Sequence, residues 1–341
     1  MKKKLLNILK ATLFFGLGAS ILYLIFRSQN EAYLEQCRVD GVPLEDCSLL
    51  DKLITDFTSA NFFWLFMVLI AYTISNISRT ARWQMLLRPL GLNIKPLNGF
   101  FTIMLGYFAN LGFPRIGEFV RAGTLARYEK AEFEKVMGTV VVDRVIDVFS
   151  LLIAILLAFL FSFNELSAFL DSMPLSFSGT KILGILVVLG LAGFFSLFYF
   201  IKKFPENFVV KKILSFLEGV KSIRNIDRPF WFLFHSVLIW VMYFVMIWVG
   251  LYAFGPTAHL GATAGLLLFV VGSLGIVIPT PGGMGTYHAL VGACLTFVFG
   301  LTSADSFSFA NIIFFTIQIG ANVLFGALAL IVLPLINNRG K

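Results

Sequence analysis

The sequence lacks the motifs that mark soluble enzymes. It contains no nucleophile elbow, phosphate-binding loop, dinucleotide-binding fingerprint or zinc-hydrolase pattern. It has only three histidines and three cysteines, and no two of them have the spacing of metal ligands. No hydrophilic stretch is long enough to form a separate catalytic domain. We therefore expect no cofactor, no metal site and a protein that is not an enzyme.

Apolar residues are what the sequence has in abundance. They make up 58% of the 341 residues, and phenylalanine alone accounts for 39. No water-soluble globular domain can bury this much apolar surface. The predicted fold is all-α, a polytopic integral membrane protein with a single membrane domain over residues 1–341. The first apolar run, Leu5–Phe26, is too long for a signal peptide and lacks a cleavage site, so it is predicted to remain as the first helix.

The basic residues indicate sidedness rather than nucleic-acid binding. The net charge is +8, but Lys and Arg are spread over the segments between apolar runs. Because loops rich in Lys and Arg stay cytoplasmic, residues 202–228 and both termini are predicted to lie in the cytoplasm. Arg27–Thr58, with three basic and seven acidic residues, is predicted to be extracytoplasmic. The chain is thus expected to be a multi-pass protein of the cytoplasmic (inner) membrane.

Hydropathy predicts about eight spans plus one or two re-entrant elements. The predicted spans are Leu5–Phe26, Ala60–Ser78, Val145–Phe163, Ile182–Ile201, Phe230–Ala253, Leu260–Ile278, Thr286–Gly300 and Phe307–Ile336. The second span is followed by a predicted cytoplasmic loop that holds Arg79, Arg82, Arg88 and Lys95 and no acidic residue. An amphipathic helix on the membrane surface is predicted at Pro205–Ile226.

The segment 97–127 is the most informative part of the chain. Its apolar run, Leu97–Phe113, is at the lower length limit for a span, and six basic residues follow before the next span. Broken helix at membrane depth is tolerated only where protein or water covers it. We therefore predict a re-entrant hairpin that lines a cavity.

Three charged residues of this segment are candidates for binding a lipid headgroup. Arg115, Glu118 and Arg121 are spaced three apart, so they lie along one face if Pro114 opens a helix. Guanidinium groups and free N–H groups at a helix start would bind an anionic headgroup. Gly117 is one of several glycine breaks that a plain loop does not need. The alternative is a cytoplasmic helix whose ion pairs satisfy one another.

A second charged motif follows at the predicted mouth of a span. Asp143 and Asp147 lie one helical turn apart, and Arg144 is within reach of Asp147. Carboxylates that enter a membrane helix are expected to have a partner. Two interpretations stay open, a structural clamp for Arg115 or Arg121 and a site that binds substrate or moves protons.

The segment 271–290 is another apolar run that Pro and Gly interrupt. Together with Pro114 and Gly117, its candidate cavity or hinge residues are Pro279, Pro281, Gly282, Gly283, Gly285 and His288. The glycines allow close approach of a backbone or a ligand. Residues 279–285 are either a short cytoplasmic turn or the tip of a second re-entrant pair. His288, taken alone, is more typical of a hydrogen-bonded residue than of a proton relay. Interrupted segments in both halves point to a transporter's binding site.

The cysteines predict one disulfide. Cys37 and Cys47 lie ten residues apart in the predicted extracytoplasmic loop, where an oxidising compartment permits a bridge. Cys294 lies within a predicted span. The bridge is expected to staple the loop rather than to take part in catalysis.

Three segments in this order resemble a known family. NLGFPRIGEFVRAGTLAR, VVDRVIDV and PTPGGMGTYHALVG are together similar to the flippase-like membrane domain of lysylphosphatidylglycerol synthases, and the resemblance covers nearly the whole chain. It implies an inner-membrane protein with re-entrant elements that is linked to moving an aminoacylated phospholipid between leaflets. The positions that match the family pattern are Pro114, Gly117, Glu118, Arg121, Asp143, Arg144, Asp147, Pro281, Gly282, Gly283 and Gly285.

The chain departs from this family pattern in two ways. His288 stands where many relatives carry Glu, which puts a proton-coupling role for this position in doubt. The chain stops at Lys341 without the soluble aminoacyl-transferase domain, so a stand-alone member is expected rather than a synthase. The substrate of the fused enzymes therefore does not carry over.

The predicted function is that of a lipid translocase, which moves a phospholipid or a polyprenyl-phosphate-type lipid between leaflets. Its partners are expected to be membrane lipids with anionic headgroups. Because no nucleotide site is present, the movement would be downhill or ion-coupled. Two alternatives stay open, a lipid-modifying transferase with Asp143 or Glu118 as base, and a non-transporting scaffold that recruits a membrane enzyme. The oligomeric state is left open.

Overall fold

The computed structural model describes residues 49–112, 115–172, 222–278 and 280–337, with single residues between 23 and 48. The predicted features that lie wholly or mostly outside these residues are the spans Leu5–Phe26 and Ile182–Ile201, the surface helix Pro205–Ile226, and the residues Pro114 and Pro279. No strand occurs in the described part of the chain. The prediction of an all-α membrane protein is confirmed.

The described ranges contain eleven α-helices. They are α1 (Leu49–Ser59), α2 (Phe62–Leu87), α3 (Pro96–Gly112), α4 (Gly117–Glu129), α5 (Phe133–Phe161), α6 (Phe163–Ser172), α7 (Pro229–Leu251), α8 (Ala262–Val277), α9 (Thr286–Phe299), α10 (Ser303–Phe314) and α11 (Asn322–Asn337). Short 3₁₀ turns lie at Arg88–Leu90, Ser222–Asn225, Gly255–Thr257 and Pro281–Gly283. A π-helical turn, Phe315–Ala321, joins α10 to α11.

Four helical stretches of the described chain are long and apolar enough to cross a membrane. They are Phe62–Leu90, Phe133–Phe161, Pro229–Leu251 and Ser303–Asn337, and each covers most or all of a span predicted from the sequence. The spans predicted at 260–278 and 286–300 correspond to α8 and α9, of 16 and 14 residues. At 1.5 Å per residue these helices are about 24 and 21 Å long, less than the roughly 30 Å of a hydrocarbon core. Their lengths favour the re-entrant alternative for residues 279–285.

The predicted cytoplasmic loop after the second span is wrong for Arg79 and Arg82. Asn61 caps the start of α2 by accepting a hydrogen bond from the Phe63 N–H at 3.1 Å, and the helix then continues to Leu87. Both arginines therefore lie inside α2, and both are buried. The physical reason is that carboxylates on α5 neutralise them, which a rule based on counting basic residues does not take into account.

The helix α5 also begins earlier than predicted. It starts at Phe133 rather than near Val145, because the polar first turns continue the same helix as the apolar part. Asp143 consequently lies within the helix and is fully buried, not at its mouth. This depth places Asp143 level with the buried arginines of α2.

Two pairs of short helices form hairpins. In the first, α3 and α4 approach so closely that a Cβ on Gly106 or Gly117 would collide with the carbonyl oxygen of the other residue. The Gly117 N–H donates to Asn110 Oδ1 at 2.7 Å, and α4 begins at Gly117 instead of Pro114. In the second, α8 and α9 approach where Gly272 and Gly275 contact Tyr287. Glycines thus set both close approaches.

On the side of the molecule predicted to be extracytoplasmic, α1 is anchored to α10. The Lys52 ammonium lies 2.9 Å from Asp56 Oδ2 and 2.8 Å from Asp305 Oδ1. Just before α1, Cys37 and Cys47 are joined by a disulfide. The loop that the sequence predicts to be outside the cytoplasm is therefore held covalently and by ion pairs.

Candidate functional site

A buried cluster of arginines and carboxylates connects α2 with α5. Arg79 and Arg82 are three residues apart on α2, and Asp143 and Asp147 are four apart on α5, so each pair lies on one helix face. Asp143 accepts hydrogen bonds from Arg79 at 3.1 Å and from Arg82 Nε at 2.9 Å. Asp147 accepts from the same two arginines, at 2.7 Å each. The two helices are thus joined by a bidentate network of charge-assisted hydrogen bonds.

The helix α4 adds a third arginine to this network. Arg121 Nη1 donates to Asp143 Oδ2 at 2.9 Å. The Arg121 guanidinium also lies 3.7 Å from the centre of the Trp83 ring, a cation–π contact. Asp143 therefore holds Arg121, as the clamp interpretation expects, but it holds Arg79 and Arg82 as well.

Arg144, the residue after Asp143 on α5, extends this network to Glu118 on α4. Its Nη2 lies 2.9 Å from Glu118 Oε1, and its Nη1 lies 3.5 Å from Asp147 Oδ2. Of the predicted site residues, the structure thus brings together Glu118, Arg121, Asp143, Arg144 and Asp147. Arg115 makes no ion pair with them in the described residues, and its Nη2 donates to the Val277 carbonyl at 2.9 Å.

The cluster carries one more positive charge than negative. It holds the arginines Arg79, Arg82, Arg121 and Arg144 against the carboxylates of Glu118, Asp143 and Asp147. Some donors also have no hydrogen-bond partner in the described part of the protein, among them the Nε atoms of Arg79 and Arg144. Because charge inside a membrane protein is costly unless it is neutralised, this excess favours a site that receives an anion.

A cavity of about 670 Å³ adjoins the cluster. Its charged wall is formed by Arg79, Arg115, Glu118, Arg144 and Asp147, and its uncharged polar wall includes Tyr72, Tyr107, Asn110, Tyr243, Gln318 and Asn322. The remaining lining is mainly apolar, including Met246, Ile247, Phe269 and Phe314. Arg144 keeps 38% of its side chain accessible, and it lines this space. The volume lies within the range of about 300–1,000 Å³ for ligand sites.

The second broken segment forms part of the same cavity. Gly282 and Gly283 line it and have φ values of 59° and 81°, a left-handed conformation that glycine adopts without strain. The Thr286 hydroxyl secures the turn by donating to the Gly275 carbonyl at 2.7 Å. Gly285, with φ 84°, ends this turn before α9. Pro281 belongs to the 3₁₀ turn between the two helices.

His288 is placed away from the cavity. It is buried, and its Nδ1 accepts a hydrogen bond from the Gly285 N–H at 3.4 Å. Its ring packs against Phe314, with ring centres 4.6 Å apart. This hydrogen bond belongs to the start of α9, so the geometry gives His288 a place in the local helix structure.

Sequence reasoning missed Arg79, Arg82 and the uncharged wall of Tyr72, Gln318 and Asn322. The spacing of Arg79 and Arg82 could have predicted their role. Two basic residues three positions apart on one helix can form ion pairs with two acidic residues four positions apart on another helix. Gln318 and Asn322 are polar residues within an apolar run and are joined by a 2.9 Å hydrogen bond.

Among the described residues no group of three His, Cys, Asp or Glu could hold a metal ion.

The fold and this buried cluster define an integral membrane protein with a mainly apolar cavity that has one charged wall. Residues 48–336 match the family described as the lysylphosphatidylglycerol synthase TM region, and the chain belongs to this family. A UPF0104 membrane protein of Methanocaldococcus jannaschii is 24% identical over 257 residues, which are 70% of this chain and 75% of the relative. No solved structure matches the chain.

Proposed function

We propose that this protein moves a lipid with an anionic headgroup between the leaflets of the cytoplasmic membrane, without changing the lipid covalently. The headgroup passes through the cavity, and the acyl chains remain in the bilayer. The movement is downhill or coupled to an ion. The family name associates this membrane region with the synthesis of a lipid, which supports a lipid as the substrate.

The observation that carries the proposal is a charged cavity inside an otherwise apolar protein. A hydrophilic headgroup cannot cross hydrocarbon unaided, because each unsatisfied polar group costs several kcal/mol there. In the cavity, polar side chains take the place of the water that would otherwise hydrate the headgroup. They include the guanidinium of Arg144, the hydroxyl of Tyr107 and the amide of Asn110. The excess positive charge of the cluster favours an anionic headgroup over a neutral or cationic one.

The two hairpin turns form the gate of the proposed pathway. Arg115, in a left-handed conformation with φ 61°, donates to the carbonyl of Val277, the last residue of α8. A cation at a helix C-terminus is favourable because it interacts with the helix dipole. The α3 helix also packs against the Pro281–Gly283 turn. Separation of these turns opens the cavity for passage of the headgroup.

The test is a leaflet-exchange assay in proteoliposomes. A phosphatidylglycerol with a fluorescent label on an acyl chain is incorporated, and an impermeant reductant bleaches the outer leaflet. The proposal predicts that vesicles with protein lose more than the outer-leaflet half of the signal, whereas vesicles with heat-denatured protein do not. Equal protected fractions in both preparations would contradict it, and mass spectrometry of the recovered lipid would reveal a covalent product if the protein were a transferase.

A further inference from the structure

Arg115 differs from the other arginines of the cavity wall because no carboxylate neutralises it in the described part of the chain. We infer that Arg115 holds the gate closed, and that the phosphate of a lipid headgroup opens the gate by replacing the Val277 carbonyl as the acceptor of its guanidinium. This inference rests on the proposed function and names the chemical group of the substrate that starts transport.

The arginines that line the cavity are paired in two different ways. Arg79 lies 2.7 Å from Asp147 Oδ2, and Arg144 lies 2.9 Å from Glu118 Oε1, so carboxylates neutralise both. Arg115 has an exposed side chain and donates to an uncharged carbonyl. An incoming anion therefore competes with a carboxylate for Arg79 and Arg144, but only with a neutral acceptor for Arg115.

The contact of Arg115 is the one hydrogen bond between the two hairpins among the described residues. Its Nη2 donates at 2.9 Å to the carbonyl of Val277, at the end of α8. The turns otherwise meet by apolar packing, where Leu111 lies within 3.3 Å of the position that a Cβ on Gly282 would take. Each turn also has hydrogen bonds of its own. The turns can therefore separate without unfolding once Arg115 is released.

The backbone of Arg115 is strained while the gate is closed. Its φ is 61°, a left-handed value that a residue with a Cβ adopts only at a cost. Such strain persists where the surrounding contacts impose it. Loss of the hydrogen bond to Val277 removes one of these contacts, which favours relaxation of the turn and an open gate.

A phosphate is a better acceptor for a guanidinium than a backbone carbonyl is. A hydrogen bond between two charged groups is about twice as strong as one between neutral groups, and a phosphate can accept from two guanidinium nitrogens at once. Nη2 belongs to both of the nitrogen pairs that bind in this way, and in the closed gate it is used by Val277. The phosphate thus binds more favourably to the open gate, and this differential affinity shifts the equilibrium.

The experiment measures the distance between the two turns in lipid nanodiscs. Spin labels are attached to the variant Ile116→Cys with Ile278→Cys, at two exposed positions next to the gate contact. The native cysteines are not expected to react, because Cys37 and Cys47 are bridged and Cys294 is buried. Double electron–electron resonance is recorded in digalactosyl diacylglycerol, which has no phosphate, and in the same glycolipid with phosphatidylglycerol.

We expect one short distance in the glycolipid alone and a second, longer distance once phosphatidylglycerol is present. The ratio of open to closed molecules should rise at least about tenfold, because a charged acceptor replaces a neutral one. Arg115→Gln should show the longer distance in both lipids, since its shorter, uncharged side chain does not hold the carbonyl. Arg115→Lys should keep a weaker response, because lysine binds phosphate as a point charge only.

Two results would overturn the inference: a distance that does not respond to phosphatidylglycerol, or an Arg115→Gln protein that stays closed in the glycolipid. Soluble glycerol 3-phosphate should not open the gate in glycolipid nanodiscs, and opening by it would assign the trigger to a free phosphate ester instead of a lipid. The leaflet-exchange assay is run in parallel. Movement of labelled phosphatidylglycerol without a change in distance would refute this inference alone, whereas no movement would refute the proposed function.

Discussion

At the scale of single residues, Asp143 is the point on which the buried arginines converge. It accepts hydrogen bonds from Arg79, Arg82 and Arg121, which come from two other helices. A buried arginine without its counter-charge is strongly unfavourable, so the carboxylate stabilises the packing of α2, α4 and α5 together.

The variant Asp143→Asn is expected to destabilise the protein severely. It leaves four arginines against two carboxylates, and the free energy of unfolding should fall by about 3–5 kcal/mol, as for other broken buried ion pairs. Thermal unfolding in detergent measures the change. Asp227→Asn, at an exposed position before α7, is the control and should leave the melting temperature unchanged.

A second substitution checks that charge imbalance is the cause. Arg82→Gln removes one guanidinium that Asp143 holds, so the double variant Asp143→Asn with Arg82→Gln should be less destabilised than the sum of the single variants predicts. Strict additivity of the two effects would show that the residues do not act as a charge network.

At the scale of the helices, the first hairpin depends on the contact between Gly106 and Gly117. A Cβ on Gly106 would lie 2.8 Å from the Gly117 carbonyl oxygen, so α3 and α4 would have to separate. Gly106→Ala should therefore cost about 1–3 kcal/mol, as overpacking does, and slow lipid movement because Glu118 and Arg121 shift with α4.

The control for this variant lies on the same helix. Gly112 has no atom within 4 Å of an added Cβ, so Gly112→Ala should be neutral in thermal unfolding and in the leaflet-exchange assay. If Gly106→Ala and Gly112→Ala behaved alike, the close approach of α3 and α4 would not determine the site.

The anchoring of α1 to α10 predicts a pH dependence. Burial alone would lower the pKa of Lys52, but the hydrogen bonds and charges of Asp305 and Asp56 outweigh it and raise the pKa above its ordinary value of 10.5. Since the pKa is higher in the folded than in the unfolded protein, the stabilisation is complete below pH 10.5 and is lost as the pH rises through the folded value.

The variant Lys52→Met should accordingly melt at a lower temperature than the wild type at neutral pH. The difference should shrink once the pH exceeds 10.5, because the wild type then loses the ammonium charge as well. Lys95→Met, at an exposed position, should match the wild type throughout. A difference that stays constant across this pH range would argue against the ion pairs of Lys52.

At the scale of the whole molecule, the sequence predicted the class of fold and four of the long helices, because long apolar runs have few other solutions. It also singled out Glu118, Arg121, Asp143, Arg144 and Asp147, since charge within broken apolar segments is unusual. The structure brings these five together.

Other parts of the site depend on contacts that no local pattern contains. Arg79 and Asp143 are separated by 64 positions, so the positive-inside rule assigned Arg79 to a loop without knowledge of its partner. The spans predicted at 260–278 and 286–300 nearly coincide with α8 and α9, but hydropathy did not show that each of these helices is too short to cross the hydrocarbon core alone. Gln318 and Asn322 line the cavity because of how the π-helical turn and α11 are rotated about their axes. The sequence of an almost uniformly apolar run does not predict this rotation.

The central claim is that an anionic headgroup binds at Arg144 inside the cavity, and one comparison tests it most directly. Arg144→Gln and Arg127→Gln each remove one arginine, the first from the cavity wall and the second from an exposed position on α4. Both are reconstituted at equal density and assayed with labelled phosphatidylglycerol. Loss of a charge-assisted contact worth about 1.5–3 kcal/mol predicts movement at least about tenfold slower for Arg144→Gln and a wild-type rate for Arg127→Gln. Wild-type rates for both variants would contradict the claim.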